Sequence, residues 1–283
     1  MLEIECPEYS ASAVFKECIP VKRDKNLKTR LEGITADIVA AESTYEAKAK
    51  SLAFYEIKTE QGVAKSVTTS EMEDLYVTVF ARKSSPVRKK YYDKLMLTPR
   101  NGTCPMCGQR DVSTLDHYLP KAKNPSLAVT PINLVPVCHE CNHTKSEYHP
   151  AAADQQFIHP YYDELPADTW LVADLDQTRP PALRFRVSPP NDCDKTLAKR
   201  LVWHFEELDL AKLYASQAGK TLAGIAEKLK AAGDRGGKDE VRFILSEDAR
   251  SWSKANLNGW QAAMYRALAG SDWFCEEGYR YLS

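Results

Sequence analysis

The sequence has 283 residues, 43% of them hydrophobic, and a formal net charge of −1, which predicts a globular protein of one large domain or two to three small ones. No run approaches the roughly 18 uncharged apolar residues that a membrane span needs. The opening residues Met1, Leu2, Glu3 and Ile4 also lack the basic-then-apolar order of a signal peptide. A membrane role is therefore excluded at this stage, and the cytosol is the expected compartment.

Taken in chain order, Leu27, Leu31, Ile34, Ile38, Ala41, Tyr45, Leu52 and Tyr55 recur at steps of mostly three and four. That stripe predicts one long amphipathic helix, weakened in its first turns by Gly33. A second helical segment is predicted from about Ser70 to Leu97, interrupted near Ser84, Ser85 and Pro86 and stopped by Pro99, Arg100, Asn101 and Gly102. That turn is the first expected domain boundary. Residues 103 to about 162 show little apolar periodicity, so a metal is expected to substitute for a missing core. Beyond them, Trp170 to Asp174 and Ala182 to Val187 alternate like two strands joined by a turn around Arg179, Pro180 and Pro181. The remainder reads as helical: one or two helices through Leu197, Leu201, Phe205, Leu208, Leu222, Ile225 and Leu229, a break near Gly233 to Gly237, and another helix over Val241 to Leu268. Ala218, Gly219, Lys220 and Thr221 resemble the end of a phosphate-binding loop, but Tyr214 stands where that loop requires glycine. A plain helix surface is the better reading.

Charge is unevenly distributed. Between Arg82 and Lys123 ten Lys or Arg oppose Asp93, Asp111 and Asp116, a local +7, so the rest of the chain carries −8. Such a stretch can meet nucleic-acid phosphate, and its candidate contacts are Arg88, Lys89, Lys90, Lys121 and Lys123. A solvated helix face is the competing reading, and the position next to the motif described below favours the functional one.

Four of the eight cysteines form two close pairs, Cys104 with Cys107 and Cys138 with Cys141, thirty residues apart. In a reducing compartment close pairs more often bind metal than form disulfides. Two C-x-x-C turns complete the four-coordinate shell that zinc prefers, and a closed shell of four thiolates makes the zinc structural. Cys6, Cys18, Cys193 and Cys275 are scattered and read as buried small residues or free thiols. Within the thirty-residue excursion stand Leu115, Asp116, His117, Tyr118, Leu119, Pro120 and Lys121. Ile132, Asn133, Leu134, Val135, Pro136 and Val137 follow, then Cys141, Asn142, His143, Thr144 and Lys145.

This D-H…N-L…C-x-x-C-N-x-x-K pattern resembles the zinc-bearing, four-cysteine branch of the HNH endonucleases. The likeness covers about sixty residues, or up to Asp163 if His159, Pro160, Tyr161 and Tyr162 belong to the same module. It implies a small ββα-metal unit and metal-dependent cleavage of DNA that leaves a 5′-phosphate and a 3′-hydroxyl.

The residue types suit that chemistry. Phosphodiester hydrolysis needs a water made nucleophilic and a cation to offset charge developing on oxygen. His117 is the expected general base, since histidine titrates near neutrality. Asp116 and the Asn142 carboxamide are the expected oxygen ligands of Mg²⁺ or Mn²⁺, with His143 the runner-up ligand. Adjacent strand residues face opposite ways, so a bend or loop is expected at Asp116 and His117. Asn133 matches the middle asparagine, whose implied role is to fix the loop carrying the histidine. Lys145 matches a family lysine near the metal and could neutralise a substrate phosphate. No role is expected for His139 or His149, and His159 is read as packing.

The expected fold is mainly α with a small central ββα zinc module, α+β overall. Its expected parts are an N-terminal helical region 1–99, a nuclease module 100–163, and a C-terminal region 164–283 with a hairpin and helices. By resemblance the chain could serve as an effector nuclease of anti-phage or restriction defence, restrained or targeted by a partner ATPase, or form a homodimer. A catalytically silent zinc module that binds nucleic acid or protein has no need for Asp116, His117, Asn133 and Asn142, so hydrolysis is the favoured reading. An RNA-directed nuclease remains open, because such units grip the backbone rather than the bases.

Overall fold

Capping side chains open three of the N-terminal helices. The computed structural model describes Met1–Leu282. Ser10 opens α1 (Ala11–Cys18), its hydroxyl accepting from Ala13 N at 3.2 Å, and Asp24 caps α2 (Lys25–Gly33) by accepting from Asn26 N and Leu27 N. The long helix expected from Leu27 to Tyr55 is instead two. Ile34, at φ −96° and ψ 7°, breaks the chain between α2 and α3 (Thr35–Lys50). Both pieces still bury the stripe, with Leu31, Ile34, Ile38 and Tyr45 at most 1% exposed.

α4 (Thr69–Leu75) begins with a capping box between Thr68 and Glu71, reinforced where Arg30 grips the Glu71 carboxylate with both terminal guanidinium nitrogens. It runs on into a π-helical turn, Tyr76–Phe80. A second π-turn, Arg88–Tyr92, leads into the short α5 (Asp93–Leu95). The expected interruption around Ser84 to Pro86 lies between these two segments. The chain then turns at Arg100–Gly102, where Asn101 and Gly102 adopt φ 56° and 64°.

The central module is two strands and a helix: β1 (Thr114–His117), β2 (Leu134–Val137) and α6 (His139–Lys145). The strands are antiparallel, with Asp116 opposite Val135 and His117 opposite Leu134, and α6 packs on β1. The module is not without a core. Leu115, Ala128, Val129 and Leu134 belong to the same buried cluster as Phe15, Leu31, Met72 and Phe80, so the N-terminal helices supply apolar surface that the module lacks.

The second unit runs from Leu165 onward, the first being Met1–Glu164. It opens with the expected hairpin, β3 (Leu171–Asp176) and β4 (Ala182–Val187). Leu171, Ala173, Leu183 and Phe185 are buried on one face. Asp174 and Asp176 pair with Arg186 and Arg184 on the other. α7 (Lys195–Glu207) and α8 (Leu210–Ala255) follow. The break expected near Gly233 to Gly237 is a kink in α8 at Gly236 and Gly237. The helix expected over Val241 to Leu268 is interrupted where Asn256 leaves helical geometry, and α9 (Trp260–Ala269) resumes after it. The side chain of Asn258 in that gap explains the interruption: its oxygen accepts from Trp170 N at 2.8 Å and Leu171 N at 3.1 Å, tying the gap to the hairpin. α10 (Asp272–Glu276) closes the unit. With 56% helix and only two-stranded sheets, the chain is an α+β fold built around a zinc module. Among the described residues no helix is long and apolar enough to cross a membrane.

Candidate metal centre and active site

Two tight turns bring the four module cysteines together. Gly108 follows the first pair at φ 62°, a conformation that a side chain disfavours, and its N–H donates to Cys104 O at 2.7 Å. The second pair opens α6, with Cys138 as the capping residue. In each turn a backbone N–H points at sulfur, Arg110 N to Cys107 Sγ and Cys141 N to Cys138 Sγ, both at 3.4 Å. All four thiols are free and buried, and their Sγ atoms lie within 4.8 Å of one another. A tetrahedral zinc shell has sulfur–sulfur edges of about 3.8 Å, as follows from zinc–sulfur bonds of ~2.3 Å, so this donor set fits zinc. The crowded sulfurs also titrate against each other. Hydrogen bonds from Cys104 hold Cys107 and Cys138 below the usual thiol range, while Cys104, donating to Cys107, and Cys141, donating to Cys104, are pushed up. Four thiolates cannot coexist there without a cation. Arg110 and Glu140, 3.9 Å apart, add a link between the two turns.

Beside this cluster, a cleft of about 250 Å³ is lined by Asp116, His117, Pro120, Lys121, Ala122, Asn142, His143, Ser146 and Glu147. β1 delivers Asp116 and His117, α6 delivers Asn142 and His143, and the chain leaving β1 delivers Lys121. The expected bend at Asp116 and His117 is not there: both are paired strand residues, and the chain bends at Tyr118 and Leu119 instead. Both reach the cleft because it lies where the strand ends.

His117 is 7% exposed. Its Nε2 lies 2.8 Å from Ala128 O, and because a carbonyl only accepts, Nε2 must carry the proton. Nδ1 is then the acceptor of the neutral ring. Burial pulls its pKa down to about 3, so the imidazole is unprotonated at neutral pH. The Tyr76 ring meets the imidazole edge-on at 4.4 Å between centroids.

Asp116 is 5% exposed. Burial pushes its carboxyl up, against the pull of Lys145. Lys145 Nζ sits 3.0 Å from Asp116 Oδ2 and donates to His117 O at 2.7 Å. That placement corrects the expectation that Lys145 faces a substrate phosphate. Its side chain is 1% exposed and turned inward, away from solvent. Asn133, fully buried, donates to Leu119 O and Leu127 O and accepts from Leu119 N at 2.8 Å. It thereby clamps the loop that leaves His117. Asn142 is half-buried, and its carboxamide has no hydrogen-bond partner among the described residues. His143 is exposed and stacks on His139 at 6.0 Å. His149 lies near Pro150 O, and His159 is buried against Tyr45, Phe54 and Tyr118.

The basic stretch does not form one free surface. Arg88 bonds Asp93 and lies over the Tyr92 ring, and Lys90 pairs with Glu17. Lys89 is exposed and Lys123 half-buried, and of the five only Lys121 lines the cleft. The correction has a simple cause: Asp93 and Glu17, from other elements, neutralise Arg88 and Lys90, two of the five cations. Tyr76, the Ala128 carbonyl, Ser146 and Glu147 escaped sequence reasoning. Glu147 lies just past the motif, but Tyr76 carries no local signal.

The sequence profile of the HNH endonuclease family matches residues 104–147, the span from the first cysteine to just beyond Lys145. Protein ea31 of Escherichia phage lambda is 30% identical to this chain over 226 residues, which is 75% of this chain and 76% of that protein. No solved structure matches.

Proposed function

The chain belongs to the HNH endonuclease family, and from that premise we propose that it hydrolyses phosphodiester bonds in DNA with His117 as the proton acceptor. The observation that carries this reading is the His117 ring itself: Nε2 is committed to Ala128 O, which leaves Nδ1 as the acceptor of a ring that lines the same cleft as Asp116 and Asn142. In the proposed reaction a water oxygen bonds to phosphorus, His117 Nδ1 takes the water proton, and the bond from phosphorus to the 3′ oxygen breaks, the departing 3′ oxygen taking a proton from solvent water. The products are a 5′-phosphate and a 3′-hydroxyl. Asp116 and Asn142 are the oxygen donors we assign to Mg²⁺ or Mn²⁺, with His143 at the cleft rim as the second candidate. A divalent cation held there supplies positive charge against the charge that builds on the phosphate oxygens.

Asn133 holds the loop after His117, and Lys145 holds the Asp116 carboxylate and the His117 carbonyl. We move the phosphate contact from Lys145 to Lys121, the cation that lines the cleft, with Lys89 and Lys123 as outer backbone contacts. On this reading residues 1–99 brace the active site, 100–163 carry it, and 164–283 serve targeting or regulation. A defence effector held in check by a partner ATPase remains the biological role we favour. The phage origin of a relative extends that role to the phage side of the same conflict.

The test is cleavage of supercoiled plasmid, and of matched single-stranded DNA and RNA, by zinc-loaded wild type and His117→Ala with Mg²⁺, Mn²⁺ or EDTA. The expected result is metal-dependent nicking or linearisation of DNA, reduced on the order of 10²- to 10⁴-fold in the variant, with equal zinc content in both. Full activity in His117→Ala overturns the assignment. Cleavage of RNA alone shifts the substrate, and no cleavage by wild type favours the silent binding module.

A further inference from the structure

We propose that Tyr76, delivered by the helical region outside the matched motif, is a positioning residue that locks the His117 imidazole in its working orientation. The inference rests on the reading of His117 as the proton acceptor and adds a part that the motif does not contain. One hydrogen bond, Nε2–H to Ala128 O at 2.8 Å, restrains a single corner of the ring. The imidazole can pivot about that bond, and pivoting moves Nδ1 out of line. The Tyr76 ring stands against it with centroids 4.4 Å apart and planes at 66°, a contact that blocks the swing.

Tyr76 is itself held. It begins the π-helical turn Tyr76–Phe80, whose extra residue is closed by Ala81 N donating to Tyr76 O at 2.8 Å. Its ring stacks on Phe80 at 5.6 Å and 25°, and Phe80 in turn meets Tyr92 at 6.0 Å. A ladder of aromatic rings thus runs from the N-terminal core to the catalytic histidine. Lys121 Nζ, the cleft cation, lies 5.9 Å from the other end of this arrangement, the Tyr76 centroid. Tyr76 is buried and does not line the cleft, so it acts through His117 rather than on substrate. The phenol oxygen reaches Leu115 O only at 3.5 Å, which makes the ring, not the hydroxyl, the active feature.

The experiment compares zinc-loaded wild type, Tyr76→Phe and Tyr76→Leu, with Tyr76→Met made as well in case the leucine variant does not fold. Ring resonances of His117 are followed by NMR on histidine-labelled protein without Mg²⁺, assigned by their loss in His117→Ala, and cleavage kinetics are measured separately. Wild type and Tyr76→Phe should share a ring-current shift at His117 and a slowly exchanging Nε2 proton, with kcat unchanged within about twofold. The aliphatic variants should lose both signatures and lose kcat on the order of 10- to 100-fold with KM little changed. Aliphatic variants that keep the wild-type His117 spectrum and kcat overturn the proposal, as does a Tyr76→Phe variant that behaves like them. If no protein cleaves under any condition, the assignment of function has failed, and the NMR comparison still decides whether Tyr76 orders the ring.

Discussion

Lys145 shows how a single buried contact redefines a residue. Its ammonium replaces water around the Asp116 carboxylate, 3.0 Å away, in a place where neither group is solvated. Removing only the cation leaves an uncompensated buried charge, so Lys145→Ala should destabilise the protein by about 3–5 kcal/mol. Lys145→Met combined with Asp116→Asn should recover most of that loss, because both desolvated charges disappear together. Denaturant midpoints of wild type and these two variants decide this. If Lys145→Ala unfolds like wild type, the ion pair is not formed in solution. Folded Lys145→Met should also cleave poorly while its affinity for DNA stays close to that of wild type, whereas Lys121→Ala should weaken DNA binding. The opposite pattern would return the phosphate contact to Lys145.

At the scale of elements, the ββα unit is too small to stand on its own hydrogen bonds. α6 has seven residues, below the roughly 12–15 at which an isolated helix becomes marginally stable in water. β1 and β2 have four residues each. Zinc held by the four thiols would join the turn before β1 to the start of α6, and the helices of the first unit cover the rest. Cys138→Ser is therefore expected to lose the single equivalent of zinc and melt β1, β2 and α6, because metal binding and folding are one equilibrium in such modules. α1 and α2 have their own caps, all three of α1 to α3 have a buried stripe, and these helices should survive. Zinc content together with hydrogen exchange at Asp116 to Leu119, Val135 and Val137 measures this. Retained protection in zinc-free protein would mean that packing, not metal, holds the module.

Across the whole molecule the chain divides after Glu164. The connecting residues Glu164, Ala167, Asp168 and Thr169 are exposed and outside regular structure, and such stretches are where proteases cut first. Limited proteolysis of the intact chain should nick first between Glu164 and Thr169, leaving an N-terminal fragment that keeps the zinc. A first cut near Gly102, between the helical region and the module, would show that these two do not share a core.

Local spacing made the zinc cluster, the pair Asp116 and His117 and the β3–β4 hairpin legible in the sequence, while the role of Asn133 came from the family resemblance. The first three rest on residues whose relation is set within a turn, a strand alternation or two matched C-x-x-C turns. The helical stripes were legible too; the break at Ile34 follows the Gly33 that weakened the stripe, but the break at Asn256, which answers to the Asn258 tie, was not legible. Only tertiary structure decided that Lys145 turns inward and that Glu17 neutralises Lys90. It also decided that the module borrows its core and that Tyr76 meets His117. The reason is physical: charge compensation and ring contact act over a few ångströms between residues tens of positions apart, and no periodicity along the chain records which of them will meet.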